Sequence, residues 1–152
     1  METVPRDLGF RGILSSMTAH AIRTSPSDWT DPRHVRGLRG ELVALSYLVS
    51  CGWAVEAHRF RLGRHDLDLI VRRHDVVAFV EVKTRRSLRY GAPRESVGWR
   101  KRRTIARVAG IWALRNGRWG DTFRFDVVEV LDVAGRPPQV HHIPDAWRME
   151  NW

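Results

Sequence analysis

The sequence predicts a mixed α/β domain in which a central sheet is flanked by helices. Apolar residues recur at helical spacing in two segments, whereas four other segments have the alternating or continuous apolar runs that are typical of strands. The predicted order is helix, three strands, helix, strand. A length of 152 residues and a hydrophobic fraction of 43% are enough for one domain with one core.

The chain is predicted to begin with a flexible extension. Residues 1–34 mix Ser, Thr, Pro, Asp and Arg without a sustained period, so a single folded domain is expected over residues 35–152. The first helix is predicted over about residues 37–51, where apolar residues recur at Leu38, Leu42, Leu45 and Val49. Gly52 stands where a left-handed cap would end this helix.

Three strands are predicted next, over residues 53–60, 66–71 and 76–83. The third is nearly all β-branched or aromatic, which indicates a central strand covered on both faces. Residues 72–75 are too few for a crossover helix. The second and third strands are therefore expected to form an antiparallel hairpin.

The second helix is predicted from about Val97, with Ser96 as a candidate N-cap, to a stop signal at Asn116-Gly117. A strand follows over residues 123–131, and a short edge strand is predicted over residues 140–143 after two prolines. The two histidines of this edge strand, at positions 141 and 142, are expected at the surface.

The chain is strongly basic, with 26 Lys plus Arg residues, 17 Asp plus Glu residues and a formal charge of +9. This balance favours an anionic partner such as nucleic acid, although a basic protein without such a partner can have the same composition. Only Lys83 and Lys101 are lysines. A lysine kept among so many arginines indicates a need for a compact point charge whose pKa can shift.

Cysteine usage and hydropathy exclude several classes. Cys51 is the only cysteine, so no intrachain disulfide can form, and a reducing cytoplasm is the expected location. No apolar run reaches the roughly 20 residues needed to cross a bilayer, so no membrane partner is expected. The N-terminus also lacks the apolar segment of a secretion signal.

Three charged side chains of the predicted hairpin can meet on one face. Glu81 and Lys83 alternate onto the same face of their strand, and Asp68 shares a face with Ile70 on the preceding strand. A two-residue turn at residues 74–75 would place Asp68 directly opposite Glu81, whereas a four-residue turn would place Glu81 on the diagonal. Both registers leave the two carboxylates on the same side of the sheet.

Two carboxylates at this spacing are hard oxygen ligands suited to Mg²⁺ or Mn²⁺, which also take up waters and substrate phosphate oxygens. Lys83 could orient or deprotonate an attacking water, so the set fits metal-assisted phosphodiester hydrolysis. The alternative is a surface pair of Glu81 and Lys83, with Asp68 as a hairpin charge. The apolar residues around Glu81 favour the metal site, because an unpaired charge in such a strand is costly.

Glu41 is the third candidate carboxylate. At helical spacing it lies beside Leu45 and Leu48, at the border of the face expected to pack on the sheet. From there it could reach the outer shell of the metal. The alternative is an ordinary solvated or salt-bridged glutamate.

Two groups of basic residues could lie beside a phosphate backbone: Arg100, Arg103 and Arg107 on one face of the second helix, and Arg85, Arg86 and Arg89 after Lys83. Such contacts would give salt-dependent affinity without sequence specificity. The alternative is an ordinary solvated surface. Trp99, Trp112 and Trp119 could stack on bases, but most of the 7 tryptophans are expected in the core.

Five motifs are spread over about residues 37–131: Gly40-Glu41, Gly52-Trp53, Asp66-Leu67-Asp68-Leu69-Ile70, Phe79-Val80-Glu81-Val82-Lys83-Thr84-Arg85 and Phe125-Asp126-Val127-Val128. Together they resemble an uncharacterised bacterial family of predicted endonucleases, of the UPF0102 type, which is related to archaeal Holliday-junction resolvases.

The resemblance implies a restriction-endonuclease-like fold, with Asp68 and Glu81 as metal ligands, Lys83 as the catalytic lysine and Glu41 as the helix carboxylate. It also implies that Lys101 is a lysine that the family tends to carry on its second helix, where it would join the nucleic-acid surface. The alternative for Lys101 is a solvated helix residue. Because junction-cleaving relatives often work as dimers, a homodimer is implied as well.

Two departures from the family pattern accompany the match. His65-Asp66 stands where Gly-Glu is expected, and Arg59 stands where an Asn is expected. Both changes leave the Asp, Glu and Lys of the candidate site intact.

The sequence thus predicts a Mg²⁺- or Mn²⁺-dependent DNA endonuclease that acts on branched or damaged DNA, and it leaves RNA open as a substrate. The alternative from another class is a non-catalytic nucleic-acid-binding module that retains the nuclease fold. Divalent-metal binding through Asp68 and Glu81 would separate the two hypotheses.

Overall fold

The computed structural model describes residues 2–3, 32–87 and 97–149. The elements within these ranges are, in chain order, β1 (Glu2–Thr3), α1 (Pro32–Ser50), β2 (Ala54–Leu62), β3 (His65–Arg73), β4 (Val76–Arg85), α2 (Trp99–Asn116), β5 (Thr122–Leu131) and β6 (Gln139–Trp147). The predicted order of helix, three strands, helix and strand is confirmed from α1 to β5, and the predicted last strand is present as β6, whereas β1 lies in the segment predicted as an extension. Most of the predicted N-terminal extension lies outside the described residues, and so does Arg89, which follows β4.

The strands form one six-stranded sheet in the order β1-β6-β5-β4-β3-β2. Strands β4 and β5 run parallel, and every other neighbouring pair in this sheet is antiparallel. The chain between β4 and β5 contains α2, as a parallel connection requires. The predicted hairpin of β3 and β4 is confirmed.

The two helices cover opposite faces of the sheet. Ala78 and Val80 of β4 belong to a core cluster with Leu45 of α1, while Phe79 belongs to a second cluster with Ile105 of α2. Because neighbouring strand residues point to opposite faces, β4 is covered on both sides, as predicted. This mixed sheet with a helix on each face is consistent with a restriction-endonuclease-like core.

Helix α1 begins at Pro32, five residues before the predicted start. Proline is tolerated there because the first N–H groups of a helix have no intrahelical partner. The predicted end is confirmed: Gly52 has a φ of 84°, and the Trp53 N–H donates to the Leu48 carbonyl over 3.0 Å. This left-handed cap turns the chain sharply from α1 into β2.

Helix α2 and the sheet edges differ from the prediction in detail. The N-cap is Gly98 rather than Ser96, although the helix ends at Asn116 as predicted. Strand β2 continues two residues beyond its predicted end, to Leu62, so only a tight turn at residues 63–64 separates it from β3. Strand β6 has nine residues, longer than the predicted 140–143, and the prediction of an edge strand is wrong, because β1 pairs along its outer side. For β2 and β6, pairing with a neighbouring strand extends a segment whose local sequence signal is weak.

Neither α1 nor α2, the helices of the described segments, is long and apolar enough to cross a membrane.

Candidate functional site

The register of the β3–β4 hairpin places the two candidate ligands face to face. Arg73 pairs with Val76 across a two-residue turn, and the ladder continues to Leu69 opposite Val80. Continued by one residue, this register sets Asp68 against Glu81, and the two carboxylates are close enough for the charge of Glu81 to raise the pKa of Asp68. Of the two registers open from the sequence, the two-residue turn is confirmed and the four-residue turn is wrong.

The hairpin opens into a fork where these carboxylates lie. The β3–β4 ladder ends at Leu69 and Val80, while β3 stays paired with β2 as far as His65 and β4 stays paired with β5 as far as Arg85. Inside the fork, the Val82 N–H donates a hydrogen bond to Asp68 Oδ2 over 2.8 Å. The Asp68 carboxylate therefore replaces a backbone partner that the diverging strand no longer supplies.

Both lysines of the chain adjoin Glu81. Lys101, in the first turn of α2, places its Nζ 3.3 Å from Glu81 Oε2. Lys83 is two residues from Glu81 on β4, and its charge opposes the rise in the pKa of Glu81. The sequence placed Lys101 in a nucleic-acid surface or in solvent, whereas the structure brings it to the carboxylates.

Burial and like charge make this site electrostatically unusual. Burial and the nearby charge of Glu81 raise the pKa of Asp68 to about 8, against smaller opposing effects from the Val82 N–H and Lys101. Burial also raises the pKa of Glu81, and Lys101 and Lys83 only partly offset that rise. Two carboxylates held together under these conditions bind cations and protons more readily than solvated ones.

Glu41 lies close enough to influence Asp68 but already has partners. Arg59 donates from Nε and from its terminal nitrogen to the two Glu41 oxygens, over 2.7 and 3.0 Å, and His58 Nε2 lies 2.6 Å from Oε2. Burial alone would raise the pKa of Glu41, but these hydrogen bonds outweigh it and lower that pKa. Its predicted role as an outer carboxylate stays a prediction.

Arg59 explains how one departure from the family pattern is accommodated. Its φ is 52°, in the left-handed region that Asn adopts more readily than Arg. The expected Asn would suit this backbone, whereas the arginine compensates by neutralising buried Glu41. The sequence showed the departure but gave no indication of this ion pair.

Gly40 allows α1 to approach the strand that carries Glu81. A Cβ atom added at Gly40 would lie 1.8 Å from Thr84 Oγ1, closer than any side chain tolerates. The glycine beside Glu41 therefore sets the distance between α1 and β4 at the fork.

The predicted nucleic-acid residues fall into exposed and partly buried groups. Arg100, Arg103 and Arg107 are exposed on α2, and Arg86 is exposed after β4, while Arg85 is half-buried. Trp112 is core, but Trp99 is 63% exposed, and the guanidinium carbons of Arg100 and Arg103 lie 5.6 and 5.8 Å from its ring centroid. The predicted stacking role of Trp99 stays a prediction, and the exposed indole beside two guanidinium groups is compatible with it.

A second buried polar cluster lies under the C-terminal end of α1. Asp126 is fully buried; Arg124 donates to it over 3.0 Å, His142 Nε2 lies 2.7 Å away, and the Asp145 N–H donates over 2.9 Å. The expectation of a surface histidine is wrong for His142, whose side chain is only 14% exposed and packs edge-on against Trp53. The error arises because His142 pairs with Val128 and its ring lies on the face of the sheet that α1 covers, beside Tyr47 and Trp53.

The donor set of the fork fits a hard divalent cation. Within residues 2–3, 32–87 and 97–149, no three His, Cys, Asp or Glu side chains are grouped closely enough to hold a metal by themselves. Mg²⁺ commonly binds through one or two carboxylates, keeps several waters and takes its other ligands from substrate phosphates. The juxtaposed Asp68 and Glu81, with their raised pKa values, suit that mode of binding.

Comparison with known proteins agrees with the site motifs. The uncharacterised protein family UPF0102 matches residues 40–130. A UPF0102 protein of Rhodococcus jostii is 40% identical over 111 residues, covering 73% of this chain and 94% of that protein. One of Nocardia farcinica is 43% identical over 108 residues (70% and 84%), and one of Alkaliphilus metalliredigens is 38% identical over 111 residues (73% and 96%). With the predicted site residues inside the matched segment, the chain belongs to the uncharacterised protein family UPF0102.

Proposed function

We propose that this protein is a Mg²⁺- or Mn²⁺-dependent nuclease that hydrolyses phosphodiester bonds in DNA. The observation that carries the proposal is the fork between β3 and β4, where Asp68 and Glu81 face each other beside the only two lysines of the chain. Structural carboxylates are normally given compensating donors, whereas the pKa values of this pair are raised.

Each residue has a separate role in the proposal. Asp68 and Glu81 hold the cation, and Lys83, on the same face of β4 as Glu81, orients the attacking water and offsets charge on the phosphate. A cation bound there would polarise the scissile phosphate and lower the pKa of a bound water. Asp68 is kept in place by the Val82 N–H, so it is pre-oriented before any ligand arrives.

The substrate surface in this proposal is the exposed side of α2. Arg100, Arg103 and Arg107 would contact backbone phosphates, and Trp99 would stack on a base. These contacts are independent of sequence, so they suit recognition of DNA shape, and branched or damaged DNA presents the unstacked bases that an indole can reach. A homodimer would let two such sites act on both strands. A cytoplasmic location fits a chain with a single cysteine.

The test is cleavage of labelled linear, nicked, flapped and four-way-junction DNA, with single-stranded RNA in parallel, in Mg²⁺ or Mn²⁺. Wild type is compared with Asp68→Asn, Lys83→Ala and Asp75→Asn. The last variant is a matched control, because Asp75 is an exposed aspartate in the turn of the same hairpin. Products that require metal, disappear in the first two variants and persist in Asp75→Asn would support the proposal.

The competing function is a nucleic-acid-binding module without turnover. It is favoured by the internal partners of two candidate carboxylates, since Glu41 is paired with Arg59 and Glu81 with Lys101. Salt-sensitive DNA binding by wild type with no cleavage of any substrate would select this module and overturn the nuclease.

A further inference from the structure

We infer that Lys101 is an internal counter-ion of the carboxylate pair, which occupies the fork when no divalent cation is bound and is displaced when one binds. The inference rests on the proposed function, because it assigns the regulation of the same site. It gives Lys101 a role different from that of the exposed arginines on its own helix.

The placement of Lys101 on α2 supports this assignment. Lys101 is one helical turn before Ile105, which is 1% exposed in the core, so the lysine stem leaves α2 on the side that packs on the sheet. Arg100 and Arg103 instead accompany exposed Trp99. Its ammonium lies 3.3 Å from Glu81 Oε2. This ion pair joins α2 to β4, so it is a tertiary contact and does not arise from side-chain pairing within the helix.

The charges at the fork explain why a cation is held there. Burial alone would lower the pKa of Lys101, but the charges of Glu81 and Asp68 together raise it, so the ammonium interacts with both carboxylates and not only with Glu81. An ammonium is a compact point charge, closer to a small metal ion than a planar guanidinium is. This accounts for a lysine at position 101 in a chain that otherwise uses arginine on this helix.

The lysine also has room to leave. Its side chain is 45% exposed, whereas that of Glu81 is 13% exposed, so the ammonium can move to solvent while the carboxylate stays. A divalent cation on Glu81 would repel the ammonium. The released lysine would then lie at the mouth of the fork, where a substrate phosphate enters, so cation binding would prepare α2 for substrate.

The experiment measures Mn²⁺ affinity in the absence of nucleic acid, from the electron paramagnetic resonance signal of free Mn²⁺. Wild type is compared with Lys101→Met, which keeps the aliphatic stem, and with Lys101→Arg, which keeps the charge. Arg115→Met removes the same net charge at the far end of α2. Circular dichroism confirms that each variant is folded.

The expected result is that Lys101→Met binds Mn²⁺ about tenfold more tightly than wild type, because it removes a positive charge within contact of a ligand. Lys101→Arg should stay within about threefold of wild type, and Arg115→Met within about twofold, because distant surface charge is screened. Equal or weaker Mn²⁺ binding by Lys101→Met would overturn the inference.

Asp68→Asn separates this inference from the proposed function. If Asp68→Asn abolishes Mn²⁺ binding but Lys101→Met does not tighten it, the metal site stands and the counter-ion role fails. If Asp68→Asn binds as well as wild type, or if no protein of the set binds Mn²⁺, the metal site fails and the inference with it. Binding by Lys101→Met alone would support the inference strongly.

Discussion

Among the described residues, two carboxylate clusters approached by α1 are built in opposite ways, one beside the middle of the helix and one beside its C-terminal end. Asp126 is surrounded by donors: a guanidinium, an imidazole and a backbone N–H all point at its two oxygens. Asp68 instead faces a second carboxylate, and its pKa rises to about 8. Glu41 of α1 approaches Asp68, and Tyr47 of α1 approaches His142, which binds Asp126. The two α1 residues are six positions apart, or about 9 Å along the helix axis.

Asp126, with its donors, is therefore a carboxylate that stabilises the fold, whereas the pair of Asp68 and Glu81 destabilises it. A buried ion that is fully paired becomes expensive only when one partner is removed. Two acids forced together are expensive from the start, and such an arrangement is typical of a site that awaits a ligand.

Asp126→Ala should destabilise the protein by about 3–5 kcal/mol, because it leaves Arg124 and His142 partly buried without their shared acceptor. The measurement is the free energy of unfolding in urea. Arg148→Ala removes an exposed ion pair of the same region and should change it little. A loss below about 1 kcal/mol in Asp126→Ala would remove the stabilising half of the comparison.

Asp68→Asn should have the opposite sign and stabilise the cation-free protein at neutral pH by about 1–3 kcal/mol. The amide has no charge to desolvate, and its oxygen can still accept the hydrogen bond from Val82. This gain should accompany the loss of cleavage expected from the proposed function. Destabilisation of similar size would show that Asp68 is a structural carboxylate like Asp126.

The pH dependence of this gain follows from the direction of the pKa shift. The pKa of Asp68 rises from its ordinary value of 3.8 to about 8 on folding, so the folded protein binds this proton more tightly than the unfolded chain. Wild type should therefore lose stability as pH rises from about 4 to about 8, and the advantage of Asp68→Asn should grow over the same window. Urea unfolding at several pH values checks the sign.

Gly40→Ala should cost about 1–3 kcal/mol, because its Cβ would overlap Thr84 Oγ1 and force α1 away from β4. Thr84→Ala removes the overlapping atom and should recover part of the loss in the double variant. Additive effects of the two changes would show that Gly40 of α1 and Thr84 of β4 are not in close contact.

Trp99→Ala should weaken binding of flapped or single-stranded DNA by about 1 kcal/mol, roughly fivefold, measured by fluorescence anisotropy in EDTA. Trp119→Ala is the matched control, because Trp119 is fully exposed beyond the other end of α2. Equal losses in the two variants would show that the N-terminal end of α2, beside Glu81, has no special part in DNA binding.

The sequence predicts the architecture well because its signals are local or periodic. The apolar periods give both helices and the main strands, and the short link between β3 and β4 gives the hairpin. The same periodicity, with the count of turn residues, brings Asp68 and Glu81 together. The candidate ligands are therefore predictable even though they lie on different strands.

Contacts between elements that are distant in the sequence are not predictable in this way. Nothing in the spacing of Lys101 brings it to Glu81, or brings Arg59 to Glu41, because those contacts depend on how helices cross the sheet. The burial of Asp126 and His142 depends on how α1 and Trp53 pack over the paired strands β5 and β6. The scarcity of lysine in the sequence indicates that Lys101 has a special role, but it does not indicate that Lys101 contacts Glu81.

The tight turn at residues 74–75 has a consequence for how the protein tolerates insertions. In most hairpins one face is polar, so a one-residue shift in strand register is unfavourable because it would bury polar side chains and expose apolar ones. Here β3 near Leu69 and β4 around Phe79 are buried on both faces. Hydrophobicity therefore distinguishes poorly between neighbouring registers of this hairpin. The length of the turn determines the register instead, although the turn lies about 20 Å along the strands from Asp68 and Glu81. A single inserted residue there could move Asp68 to the opposite face from Glu81, erasing the site by a change that touches none of its members.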